Sequence, residues 1–209
     1  NRPLASNFSL ESLGLTRALE KPFAFISSDD NSASRLMNIS KEFKLNPWIL
    51  GSGYEYRELD QFNQLKPFFI MPIDFPSKPS VTKYMSDLQY STAELKHWDV
   101  APDNLSYLNR AGHDFSITSH RLSKKSEFRK NLEKIIARGL SKDIVLAALT
   151  TQPAEALGLE KSMGRVAKGY DANLVIVDGD YFKPTSKVVS LWIEGEEIYI
   201  ASKKTPSFL

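Results

Sequence analysis

Short apolar runs alternate with amphipathic segments along residues 21–138. Pro22–Ser27 (PFAFIS) carries no charge and reads as a buried strand. Ser28–Ser32 is a polar loop and helix cap. From Ala33 to Phe43 the residues Ala33, Leu36, Met37, Ile39 and Phe43 recur at a spacing that gathers them on the inward side of a helix. Trp48–Leu50 is a second strand, stopped by Gly51-Ser52-Gly53. Tyr54–Leu65 predicts a helix with Tyr56, Leu59, Phe62 and Leu65 near one face, and Phe68–Pro72 a third strand. Asp114–Ser119 is the fourth strand, and Glu127–Arg138 a helix that buries Phe128, Leu132, Ile135 and Ile136. Strands that alternate with helices in this way build parallel β/α units. Residues 1–20 add a short helix through Leu10, Leu13, Leu15, Ala18 and Leu19.

Between the third and fourth strands the pattern breaks. Pro72–Asp103 is rich in proline, and within it Ser91-Thr92-Ala93-Glu94 has the spacing of a capping box opening a helix to Trp98. A second helix runs from Asn104 to Ala111. A long excursion after a strand lies over the top of a barrel.

The segment Gly139–Gly179 is the most informative. Ser141 caps a helix whose Ile144, Val145, Ala148 and Leu149 share a face, with Asp143 at its positive end. Thr150-Thr151-Gln152-Pro153 opens a short helix that continues from Ala154 to Leu157, and Gly158 closes it. Glycine turns then lead into Ala172–Val177, an apolar, β-branched strand. Lys187–Ile193 and Glu196–Ile200 are two further strands around the turn Glu194-Gly195.

The stretches ALTTQPAEALGL, MGRVAKGYDANLVIVDG and WIEGEEI resemble the C-terminal end of the metal-dependent amidohydrolases, the imidazolonepropionase-like group in particular. The chain departs from that pattern where the usual Asp is Asn173. The resemblance implies the C-terminal half of a TIM-type (β/α) barrel, strands five to eight, with part of a small β-sandwich. The barrel half falls at 1–160 and the partial sandwich at 161–209. A complete barrel takes about 250 residues, so 209 residues read as part of a protein, and Asn1-Arg2-Pro3 begins as though cut from something longer.

Composition adds mainly exclusions. The net charge of +2 gives no reason to expect nucleic acid or an anionic membrane surface. Cysteine is absent, which removes disulfides and thiolate metal sites and leaves the compartment open. No apolar run reaches the length of a membrane span.

Active residues of such barrels sit at the C-terminal ends of strands. The resemblance implies hydrolysis of a non-peptide C–N bond assisted by a divalent metal such as zinc. It places His ligands at the ends of strands five and six and a proton-accepting Asp at the end of strand eight. Those positions are substituted here: Ser27 or Ser28 ends the first visible strand, Gly51-Ser52 the second, and His120 stands where the Asp belongs. His120 is therefore a candidate metal ligand or proton carrier. Asp29 and Asp30 either supply replacement carboxylates or cap the following helix. His97 reads as a half-buried or surface packing residue and His113 as a solvent-exposed turn residue.

Two functions of different class follow. One is part of a hydrolase whose remaining ligands come from the missing half; the other is a degenerate, non-catalytic module serving assembly or ligand binding. A half barrel leaves sheet edges and apolar faces uncovered. The chain is thus expected to contact its missing N-terminal half or a second copy, as a homo-oligomer.

Overall fold

The computed structural model describes residues 14, 22–27, 30–79 and 90–200. They belong to two compact units, Asn1–His120 and Arg121–Leu209. The helix expected over residues 1–20 lies outside the described residues except for Gly14.

The first unit is built on β1 (Phe23–Ile26), β2 (Pro47–Leu50), β3 (Phe68–Pro72) and β4 (Phe115–Thr118). All neighbours pair in parallel, in the order β1-β2-β3-β4. Sequential order with parallel pairing requires a crossover between each pair of strands, which the intervening helices provide. This is the α/β arrangement the strand-helix alternation implies, a segment of a TIM-type barrel sheet. Phe25, Ile49, Phe69 and Phe115 share one register row, and of these Ile49, Phe69 and Phe115 are fully buried.

Helix α1 (Asp30–Phe43) packs on β2. Ala33 and Met37 are buried as expected, but Ile39 and Phe43 are 44% and 43% exposed. Ser40 takes the inward place instead, fully buried, one turn after Met37 on the same side of the helix. The long helix expected over Tyr54–Leu65 is replaced by a 3-10 turn, Glu55–Arg57, and one turn of helix α2, Leu59–Phe62. The break has a cause: Glu55 and Tyr56 bond to groups outside any helix, as described below.

Helix α3 (Thr92–Val100) starts with the full capping box, Ser91 accepting from the Glu94 amide while the Glu94 carboxylate accepts from the Ser91 amide. Helix α4 (Asn104–Arg110) follows directly and buries Leu105 and Leu108. The first strand is less buried than its sequence suggests, with Ile26 74% exposed. It is an end strand of the sheet.

The second unit carries helices α5 (Phe128–Ala137), α6 (Lys142–Leu149) and α7 (Thr151–Ala156), then strands β5 (Leu174–Asp178), β6 (Lys187–Ile193) and β7 (Glu196–Ile200). Ser141 caps α6 through the Ile144 amide at 3.3 Å, and Val145 and Ala148 are buried. The three strands form an antiparallel sheet in the order β5-β6-β7, with irregularities at Ile176/Val177 and Leu191/Trp192.

Gly164 sits at φ +85, and a Cβ there would lie 2.9 Å from both Ala154 Cβ and Thr150 O. Only glycine lets this turn approach α7 so closely. Arg129 of α5 donates to three backbone carbonyls of the β5–β6 connection, Tyr181 O at 2.8 Å, Ser186 O at 2.7 Å and Lys183 O. One guanidinium therefore shapes that connection.

Candidate functional site

In a parallel sheet of this kind, chemistry is expected where the strands end. The C-terminal ends of β1 to β4 lead into Ser27, Gly51, Ile73-Asp74 and Ser119-His120. Ser27 is 1% exposed, and its amide donates to Leu50 O at 2.9 Å, extending the β1–β2 ladder by one bond. Asp29 lies outside the described residues. Asp30 is the first residue of α1.

Gly51 is the tightest point of this edge. A Cβ there would lie 2.6 Å from Met71 Sδ, 2.9 Å from Met71 Cε and 3.0 Å from Glu55 Oε1. Met71 is fully buried, so an imidazole at position 51 enters only by displacing it. Glycine at position 51 is therefore tied to a core methionine and to a carboxylate.

That carboxylate, Glu55, is 3% exposed. It accepts from the Ser52 amide at 2.5 Å, the Ser52 hydroxyl at 3.0 Å and the Gly53 amide at 3.1 Å. From α4, Asn104 Nδ2 donates to Glu55 Oε2 at 2.7 Å, while Asn104 Oδ1 accepts from the Tyr56 amide at 2.8 Å. Asn104 itself is 1% exposed. A buried carboxylate is tolerated when donors surround it. These bonds fold the chain after β2 back on itself, which is why no long helix forms there.

Beside this knot the His97 ring of α3 stacks on Tyr54, with centroids 3.7 Å apart and planes inclined by 17°. His97 Nδ1 lies 3.3 Å from the Tyr56 hydroxyl, and the Arg57 guanidinium lies 4.5 Å above the Tyr54 ring. His97 is buried rather than half-buried or on the surface, because the irregular 72–103 excursion carries it back to the end of β2. Glu55, Asn104 and this stack are absent from the sequence reading. Their one signal is the polar cluster Ser52–Glu58 directly after a strand, which a helical pattern obscures.

His120 is exposed in the turn after β4, where its amide donates to Thr118 Oγ1 at 3.1 Å. Among the described residues no three His, Cys, Asp or Glu side chains converge on a point that could hold a metal ion. The residues described do not fit the divalent centre that the resemblance implies.

The remaining histidine corrects an expectation. His113, at the N-terminal end of β4, is 3% exposed rather than in solvent. Its ring meets Phe69 and Phe62 edge-on at 5.5 and 6.1 Å, and both ring nitrogens lack a hydrogen-bond partner. Desolvation, and secondarily the Lys66 charge, push its pKa below the ordinary imidazole value, with Asp114 opposing. It lies at the end of the sheet away from the candidate site. There a buried residue reads as stability.

The second unit has a cleft of about 690 Å³ between α6, α7 and the turns that follow, with Leu146, Leu157 and Val166 among its exposed apolar walls.

Comparison with known proteins agrees with this architecture. The amidohydrolase family pattern matches residues 111–198. An amidohydrolase, tasK, of Hapsidospora irregularis is 37% identical over 57 residues, which is 27% of this chain and 6% of that protein. Among solved structures, an amidohydrolase from Thermotoga maritima superposes with a TM-score of 0.72 at 21% identity, covering 96% of this chain and 49% of its own. A prolidase complexed with N-methylphosphonate-L-proline gives 0.63 at 15% identity, covering 89% and 47%. At these identities the structures speak for the fold alone, and the chain spans about half of each. Over residues 111–198 this chain matches the amidohydrolase family pattern, and its parallel β/α sheet has the fold of the amidohydrolase barrels it superposes on.

Proposed function

We propose that the chain is the C-terminal part of an amidohydrolase-family protein of the imidazolonepropionase-like group, within a lineage that hydrolyses non-peptide C–N bonds. In this reading the segment is a degenerate module that supplies scaffold rather than metal ligands. One observation carries it: the end of β2 is closed by Glu55, whose oxygens are taken by Ser52, Gly53 and Asn104, while a side chain at position 51 would have to displace the Met71 thioether. A carboxylate engaged by three donor residues is a structural group in the geometry it holds.

The second reading, a catalytic one, rests on His120, which stands exposed at the end of β4 where the family places its proton acceptor. Zinc titration of the purified chain, followed by native mass spectrometry and calorimetry, separates the two. The scaffold reading expects no stoichiometric zinc. A single zinc per chain that is lost in His120→Ala overturns it and assigns the metal to the β4 end.

A further inference from the structure

Two short helices of the first unit meet at His113. Helix α2 has four residues and α4 seven, too few to persist on local bonds alone, so both stay folded through what they pack against. The 3-10 turn Glu55–Arg57 leads into α2 and also contacts α4. At one end of this layer Asn104, the first residue of α4, holds Glu55 and the Tyr56 amide. At the other end the His113 ring lies against Phe62 of α2 and Phe69 of β3, while the His113 amide donates to Leu108 O at 3.1 Å and closes α4. Phe62 and Leu108 are fully buried.

The pocket suits the neutral ring. Both nitrogens are buried without a partner, and an imidazolium there would carry two donors with nothing to accept them. Desolvation is the largest influence on the ring and opposes protonation; Lys66, between α2 and β3, opposes it too, while Asp114 favours it. Asp60 of α2 and Arg110 of α4 are exposed, and β3 carries no charge. Gly112, directly before the histidine, takes φ +75 with open space where a Cβ would lie. It gives the chain a pivot between α4 and β4.

We propose that His113 is a proton-operated latch: once charged, its ring leaves the pocket, and residues 55–62 and 104–113 open together as one local unit, uncovering the Glu55 carboxylate while the strands remain paired. The coupling comes from the layer itself. Its two segments touch at both ends, through Glu55–Asn104 and through Phe62–His113, and neither is long enough to stand without the other. Contiguous segments that open below the cost of global unfolding are the usual form of such motion.

The test is amide hydrogen exchange of the wild-type chain, resolved residue by residue by NMR, between about pH 7.5 and pH 5.5. The Tyr56 and His113 amides report on the two ends of the layer. The Gly51 amide, which donates to Ile70 O at 3.0 Å, reports on the strands. Backbone amides share one intrinsic pH dependence, so the ratio of Tyr56 or His113 exchange to Gly51 exchange isolates local opening. An imidazole that stays neutral when closed and titrates at about 6.5 when open raises both ratios about tenfold over this range. His113→Phe and His113→Gln, two side chains that do not titrate, are each expected to keep the ratios flat. Flat ratios in the wild type overturn the proposal, because the layer then opens only with the strands or without the proton. A rise at one of the two amides alone overturns it as well, and so does a rise that persists in either variant. Zinc plays no part in this readout, so it can fail or succeed independently of the metal titration.

Discussion

His113 makes the first unit sensitive to acid in a calculable way. Its ring is packed against Phe62 and Phe69 with neither nitrogen bonded, so the folded state holds it neutral. Its folded pKa is depressed, whereas an unfolded imidazole titrates at about 6.5. Below that value the unfolded chain therefore binds the proton first, and stability falls as pH falls. The contribution is fully present above the unfolded value, and one proton sets a maximum slope of about 1.4 kcal/mol per pH unit. His113→Phe keeps an aromatic ring in the same pocket and removes two nitrogens whose burial without partners costs roughly 1–3 kcal/mol. The variant is expected to be at least as stable as wild type at neutral pH and to pull ahead progressively on acidification. Urea unfolding across the range from about pH 8 to pH 5 measures this, with fluorescence of Trp48 and Trp98 reporting on the first unit. Other titrating groups are common to both proteins, so the difference between the two curves isolates His113. Parallel curves for wild type and variant would refute the reasoning, because they require His113 to be as readily protonated folded as unfolded.

Three further expectations rest on separate features. Asn104→Ala strips Glu55 Oε2 of its Asn104 donor and the Tyr56 amide of its acceptor; a loss of about 2–3 kcal/mol is expected in chemical denaturation, and a loss below half of that would argue that water replaces the side chain. Gly164→Ala forces a Cβ to within 2.9 Å of Ala154 and of a backbone carbonyl at φ +85, so the melting temperature should fall by an amount corresponding to about 1–3 kcal/mol. Arg129→Ala releases three carbonyls of the β5–β6 connection; a loss of about 1–3 kcal/mol is expected, and Arg129→Lys should recover little of it, because a point charge cannot reproduce the fork.

The order of elements and the resemblance to the amidohydrolase pattern over residues 111–198 were legible in the sequence because they depend on local chemistry. The runs at Phe23, Trp48, Phe68 and Phe115 became parallel strands, since an uncharged apolar run between helices has no other stable place. The Ser91 and Ser141 caps hold, as hydroxyls placed before a helix satisfy its own first amides. The strands around Glu194-Gly195 formed as read, because a two-residue glycine turn selects a hairpin by backbone geometry. Only the tertiary structure decided what happens at the strand ends. Glu55 and Asn104 are 49 positions apart, and no periodicity links them; their pairing exists because the excursion after β3 returns over the end of β2, and it dissolves a helix that the local pattern favoured. His113 reads as a polar turn residue until Phe62 and Phe69 enclose it, and His97 as a packing residue until Tyr54 stacks on it. Local propensity is set within a turn or two of chain, whereas burial, charge and hydrogen-bond partners are set by whichever distant segment arrives alongside.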